Sequence, residues 1–252
     1  MTAFQPDNER VNENAGRDIG QRIISRELVA LQGRFIEQLQ LQRFGRLMTL
    51  TGAAAFRGVY LKQPWGARLD FEAPSVVAYH FAESIHRFNI HIERKQDHFS
   101  IIGKSVTSRD ISFPLIVSVP GSLPPPPESG LFYSRRDKPV NVRVTPISTL
   151  LVSMLQRLRM DPSPADMLDL WLFCGLSSQS LTQVLSLTPD AGNPIAALSV
   201  AQIRSLKERW QIENVGTPCI LPPFKQVYKD LRRFLTSTSP IMVGAEILQV
   251  TK

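Results

Sequence analysis

With 252 residues, 43% of them hydrophobic, the chain is long enough for one large domain or two small ones and can bury a core. Twenty-nine Lys and Arg against 22 Asp and Glu leave a formal charge of +7, which favours an anionic partner such as RNA, DNA or a phosphorylated ligand. Cys174 and Cys219 show neither C-x-x-C spacing nor a nearby His pair, the polar N-terminus lacks an apolar signal core, and no apolar run approaches the length of a membrane span. The expectation is a cytoplasmic protein with no disulfide framework, no zinc site and no membrane partner.

Residues 1–18 are polar and aperiodic and read as a mobile tail. Ile24, Leu28, Leu31, Phe35 and Leu39 then recur at helical steps along one face, predicting an amphipathic helix that ends near Gly45. An apolar run at 47–50 meets Thr51 and Gly52, and the small residues 53–55 open a helix through Phe56 and Tyr60. Residues 68–71 read as the next strand and 75–88 as a helix with Ser75 as N-cap. Strands follow at 89–94 and 99–107, and residues 111–119 alternate with period two, Pro114 suggesting an edge or a bulge.

The stretch from Pro120 to Gly130, with four consecutive prolines, predicts a stiff connector that is neither strand nor helix. After a short strand at 140–144 the character turns helical. That change places a boundary near residue 145, between an α/β domain (19–145) and a helical C-terminal domain (146–252). Thr145-Pro146 and Ser163-Pro164 each read as a helix start, and Asp166 stands where a capping box would use it. Further helices are expected at 177–187, 199–210 and 224–235.

Nucleotidyl transfer needs a backbone that approaches a triphosphate closely, and carboxylates on a neighbouring strand to hold divalent metal. Here Gly52-Ala53-Ala54-Ala55-Phe56 is followed, after a spacer, by Gly66-Ala67-Arg68-Leu69-Asp70-Phe71. This order resembles the AbiEii/AbiGii toxin group of the nucleotidyltransferase superfamily, whose pattern runs Gly-Gly-x-Ala-Leu, a helix, then Arg-x-Ser/Thr-x-Asp-Leu-Asp-Phe. Downstream, residues 150–158 and Ala165-Asp166-Met167-Leu168-Asp169-Leu170-Trp171 are similar to that family's later helices, so the resemblance covers roughly residues 20–175. It implies a nucleotidyltransferase-like mixed sheet with flanking helices and a helical C-terminal half. It also implies transfer of nucleotides to RNA, often tRNA, with Mg2+ and a nucleoside triphosphate (NTP), in a toxin–antitoxin or phage-defence system with a cognate antitoxin or defence protein.

The sequence departs from that pattern at the positions the chemistry needs. Arg68 stands at the first carboxylate position, leaving Asp70 as the metal-binding acid. The strand that carries a third acid in the family reads Val117-Ser118-Val119, and Asp110 lies eight residues from Ser118, roughly 25 Å along a strand. Met154 falls where the family has a phosphate-contacting lysine, with Arg157 one turn on; Ala53 replaces the second glycine, Gly66 the Ser/Thr, and Pro64 the arginine.

Two readings follow. In the first, Asp70 with Asp166 or Asp169 serves catalysis, and Gly52, Ala53, Arg68 and Arg157 bind nucleotide. In the second, catalysis is impaired or lost and the frame binds a nucleotide, RNA or a partner acid. A third possibility is that Arg68 and Asp70 simply pair with neighbouring charges at a strand end.

Lys225, Lys229, Arg232 and Arg233 fall on one face of an expected helix beside Phe224 and Tyr228, either an RNA-contacting surface or a solvated basic face. Arg135, Arg136 and Lys138 form a second basic cluster with the same two readings. His80, His86, His91 and His98 lack zinc-site spacing. Trp65, Trp171 and Trp210 read as packing anchors.

Overall fold

The computed structural model describes residues 26–64, 66, 68–104, 110–121, 123–134, 138–176, 194–213 and 221–236. The expected tail, Trp65, Arg135, Arg136, Cys219 and the helix expected at 177–187 lie outside them.

Helix α1 (26–41) buries Leu31, Phe35, Ile36 and Leu39, the apolar face its periodicity predicts. It ends at residue 41, earlier than expected, and a 3-10 turn at Gly45–Leu47 leads into β1 (Thr49–Thr51). Helix α2 (Gly52–Ala55) continues as a π-helical turn, Phe56–Tyr60. Then come β2 (Leu69–Glu72), α3 (Ser75–Glu83), β3 (His91–Arg94), β4 (Phe99–Lys104) and β5 (Asp110–Ser118). Strands β6 (Glu128–Phe132) and β7 (Val140–Val144) complete the sheet, and the later described elements are helices: α4 (Ile147–Met160), α5 (Pro164–Leu176), α6 (Val200–Glu213) and α7 (Phe224–Thr236).

The seven strands form one mixed sheet in the order β3-β4-β5-β2-β1-β7-β6. β2 is antiparallel to β1 and parallel to β5, while β1 is parallel to β7. This is the α/β class expected, a mixed sheet with flanking helices. Phe35 centres the core, its ring 5.6 Å from Phe88 and 6.5 Å from both Phe71 and Phe113. The buried side chains of α4 and α5 belong to the same cluster as those of the sheet, with Phe56 and Phe173 rings 5.6 Å apart.

Several local expectations are corrected. Pro74 and Pro146, not Ser75 and Thr145, occupy the N-cap positions of α3 and α4, without side-chain caps. Thr145 is committed elsewhere: its N–H donates to Leu50 O at 3.0 Å, extending the sheet ladder, and its carbonyl accepts the Tyr60 hydroxyl at 2.8 Å. The helix expected to reach Phe88 breaks at Ser84 into a 3-10 turn, Ile85–Arg87.

Pro114 lies in an interior strand, yet pairing with β2 begins at Leu115, so at Pro114 only β4 flanks the chain and the missing N–H is tolerated. Glu128, Ser129 and Gly130, assigned by sequence to the connector, are strand. Pairing with β7 recruits them, and a side chain at Gly130 would approach Val59 Cγ1 to 2.6 Å.

Candidate functional site

The alternation of β2 buries Leu69 and Phe71 and leaves Asp70 and Glu72 half-buried on the other side. Asp70 stands in register opposite Thr51, where β1 ends and the chain turns into α2. Gly52 makes that turn with φ +66, and a side-chain carbon there would lie 2.9 Å from Asp70 Oδ2. Glycine is thus required twice over, for the left-handed backbone and for the close carboxylate.

Arg68, just before β2, donates from Nε to Asp70 Oδ2 at 3.0 Å; its side chain is 59% exposed and that of Asp70 14%. Partial burial raises the Asp70 carboxyl above its ordinary range, opposed first by Arg68 and then by Arg157.

On α4, Arg157 clasps Asp166 with a two-pronged fork, Nη2 to Oδ1 at 2.7 Å and Nε to Oδ2 at 3.1 Å. The capping role foreseen at this turn is split: Ser163 Oγ accepts the Asp166 N–H at 3.1 Å, while the Asp166 carboxylate turns to α4. Hydrogen bonding to Asp166 holds the Arg157 pKa above its usual value, and Asp169 and Asp70 act in the same direction.

One turn along α5, Asp169 is fully buried and accepts Arg57 Nε with both oxygens, at 2.8 and 2.9 Å. Complete burial pushes its carboxyl up to about 6, outweighing the pull of Arg57. Arg57 sits on the π-helical turn, a distortion that frequently re-aims side chains at functional positions. Its Nη1 lies 2.8 Å from where a side-chain carbon on Gly66 would stand, and Gln32 Nε2 donates to Gly66 O at 3.2 Å.

Six charged groups therefore gather at one corner: Asp70, Asp166 and Asp169 with Arg68, Arg157 and Arg57. Arg157 stands near enough to both Asp70 and Asp169 to favour their charged forms. The structure brings together the five charged residues that the sequence singled out for chemistry, beside Gly52 and the half-buried Ala53, which offers no polar side-chain atom. Arg57 was missed. Its signal was a lone charge in the apolar stretch from Ala54 to Val59, all of it buried.

These residues do not fit a Mg2+ ion. Each carboxylate is bonded by its own arginine, and among the described residues no group of three His, Cys, Asp or Glu could hold a metal. Ser118, on the strand where a third acid is expected, donates to Phe71 O at 3.3 Å, and Met154 is buried in the core.

Lys225, Lys229, Arg232 and Arg233 lie exposed on α7, whose opposite face buries Val227, Leu231 and Leu235. Tyr228 stacks on Phe224 at 6.0 Å and carries the Arg232 guanidinium 5.9 Å from its ring centre. Helix α7 packs on α5, where Trp171 Nε1 donates to Asp230 at 3.1 Å. Trp171 and Trp210 are both buried, and Trp210 donates to Pro222 O at 2.9 Å. His86 and His91 line a shallow depression of about 420 Å3 beside edge strand β3, among mainly apolar neighbours. His98 pairs with exposed Asp97 at 2.6 Å.

No protein-family model matches the chain, and no curated protein does. Among solved structures, the chain is similar to the crystal structure of JHP933 from Helicobacter pylori, with a TM-score of 0.53 and 14% identity over 82% of this chain and 90% of that one. The likeness is one of fold alone. No helix among the described residues is long and apolar enough to cross a membrane.

Proposed function

We propose that the protein is a nucleotidyltransferase-frame relative of AbiEii-type toxins in which metal-dependent transfer is lost and the frame serves to bind an anionic ligand. One observation carries this reading: every carboxylate gathered at the Gly52 corner is bonded by an arginine. A magnesium ion demands near-ideal octahedral oxygen ligation at about 2.0–2.1 Å. To supply it, Asp169 would have to release Arg57 and break an ion pair inside the core.

The setting proposed is a cytoplasmic toxin–antitoxin or phage-defence pair, with a cognate antitoxin or defence protein and RNA, such as tRNA, as partners. Support for RNA comes from the basic face of α7, where Arg232 is steadied over Tyr228 and flanked by Lys225, Lys229 and Arg233.

The test is incorporation of labelled nucleotide into RNA by purified protein with Mg2+. The expected result is background incorporation, unchanged by Asp70→Ala. Binding to RNA is read separately by filter retention, where Lys225→Ala with Lys229→Ala should weaken retention and flatten its salt dependence.

A further inference from the structure

The three ion pairs at the corner are not equivalent, and that inequality suggests what the site takes up. Arg57 and Asp169 are locked inside the core, their side chains 10% and 1% exposed. Arg68 and Arg157 are 59% and 48% exposed. Arg68 bonds Asp70 through Nε alone, and Arg157 bonds Asp166 through Nε and Nη2. Among the described residues, both Nη groups of Arg68 and the Nη1 of Arg157 make no hydrogen bond. These are planar donors of the kind that recognise phosphate oxygens in pairs.

Resting on the loss of transfer argued above, we infer that Arg68 and Arg157 form a metal-independent site for the phosphate chain of a nucleotide, with Asp70 as a built-in competitor that a phosphate oxygen displaces.

Asp70 is placed for that role. Its carboxylate lies against the Gly52 backbone at the mouth of the β1–α2 turn, bonded to Arg68 and within the field of Arg157. The Arg68–Asp70 pair joins residues two apart at a strand start through one Nε bond, and its arginine end, mostly in solvent, can exchange partners. Three arginines against three aspartates leave the corner without net charge. With Asp70 neutralised, or swung away by an arriving phosphate, the remaining groups carry an excess positive charge facing the ligand. The buried Arg57–Asp169 pair stays intact throughout and holds the π-helical turn after α2 to α5, so the exchange requires no change in the frame.

This inverts the usual sign of a mutation. In a metal site, removing Asp70 weakens nucleotide binding, because the acid holds the ion that holds the phosphates. In the arginine site, removing it strengthens binding.

The experiment is calorimetric titration of the full chain with inorganic tripolyphosphate and with ATP, in EDTA and then in Mg2+. Wild type should bind both in EDTA, ATP at least as tightly, with no tightening by Mg2+. Asp70→Asn, nearly isosteric, should bind roughly tenfold tighter. Arg68→Ala and Arg157→Ala should each weaken binding by about tenfold or more, with circular dichroism confirming the fold. Arg204→Ala, on the exposed face of α6, should leave the affinity unchanged.

Weaker binding by Asp70→Asn, a requirement for Mg2+, exclusion of ATP, loss of affinity in Arg204→Ala, or silence of both wild type and Asp70→Asn would each overturn the inference. Magnesium-dependent incorporation into RNA would instead sink the loss of transfer, and the sign of the Asp70→Asn effect separates the two failures.

Discussion

Two ion pairs of the same chemistry stand at the same corner of this protein and do different work. Asp169 holds Arg57 with both oxygens where both side chains are almost wholly buried, while Asp70 holds Arg68 at 3.0 Å with the arginine mostly in water. The buried pair joins the π-helical turn after α2 to α5, residues 112 apart in sequence. The outer pair joins residues two apart at the start of β2. Burial and the two-oxygen hydrogen bond make the first a fixture, while the exposed arginine leaves the second exchangeable.

The largest effect expected from this contrast is on stability. Asp169→Ala should cost about 3–5 kcal/mol in urea unfolding, because it breaks a buried, hydrogen-bonded ion pair. Replacing both, Arg57→Met with Asp169→Leu, should recover much of that loss. The contrast collapses if Asp169→Ala proves no worse than Arg68→Ala.

Next in size is a pH effect. With its carboxyl pushed up to about 6, Asp169 keeps its proton in the folded chain after the unfolded chain has released it, between about pH 4 and pH 6. The folded state is therefore favoured below that window, and the advantage is lost as pH rises through it. Wild type should exceed Asp169→Asn in unfolding free energy by on the order of 2–3 kcal/mol more at pH 4 than at pH 7. A constant gap would show that burial does not dominate this carboxyl.

Gly52→Ala comes third. The left-handed backbone and the approach to Asp70 Oδ2 should cost about 1–2 kcal/mol, read as a lowered Tm. Smallest is Arg68→Ala, expected below about 1 kcal/mol.

Much of this corner was legible in the sequence. Asp70, Asp166, Asp169, Arg68 and Arg157 were separable from the background because their order along strand and helix follows a recognisable pattern. Period-two alternation on β2 fixed which side Asp70 takes. The pairing of the charges was not legible, because Arg57 and Asp169 meet only once α5 is packed on the π-helical turn. Arg157 is exposed, and its pairing with Asp166 was hidden for the same reason, since that partner lies on the next helix.

Local signals also lost to the sheet where the two competed. Thr145 is a good N-cap by sequence, but its backbone completes the ladder beside β1, and Gly130 follows a proline run yet pairs with Val142.

The most direct test of the central claim is nucleotide incorporation into RNA by the wild-type chain with Mg2+ and each of the four nucleoside triphosphates. The account predicts background incorporation, indistinguishable from that of Asp70→Ala. Robust incorporation that Asp70→Ala abolishes would contradict it.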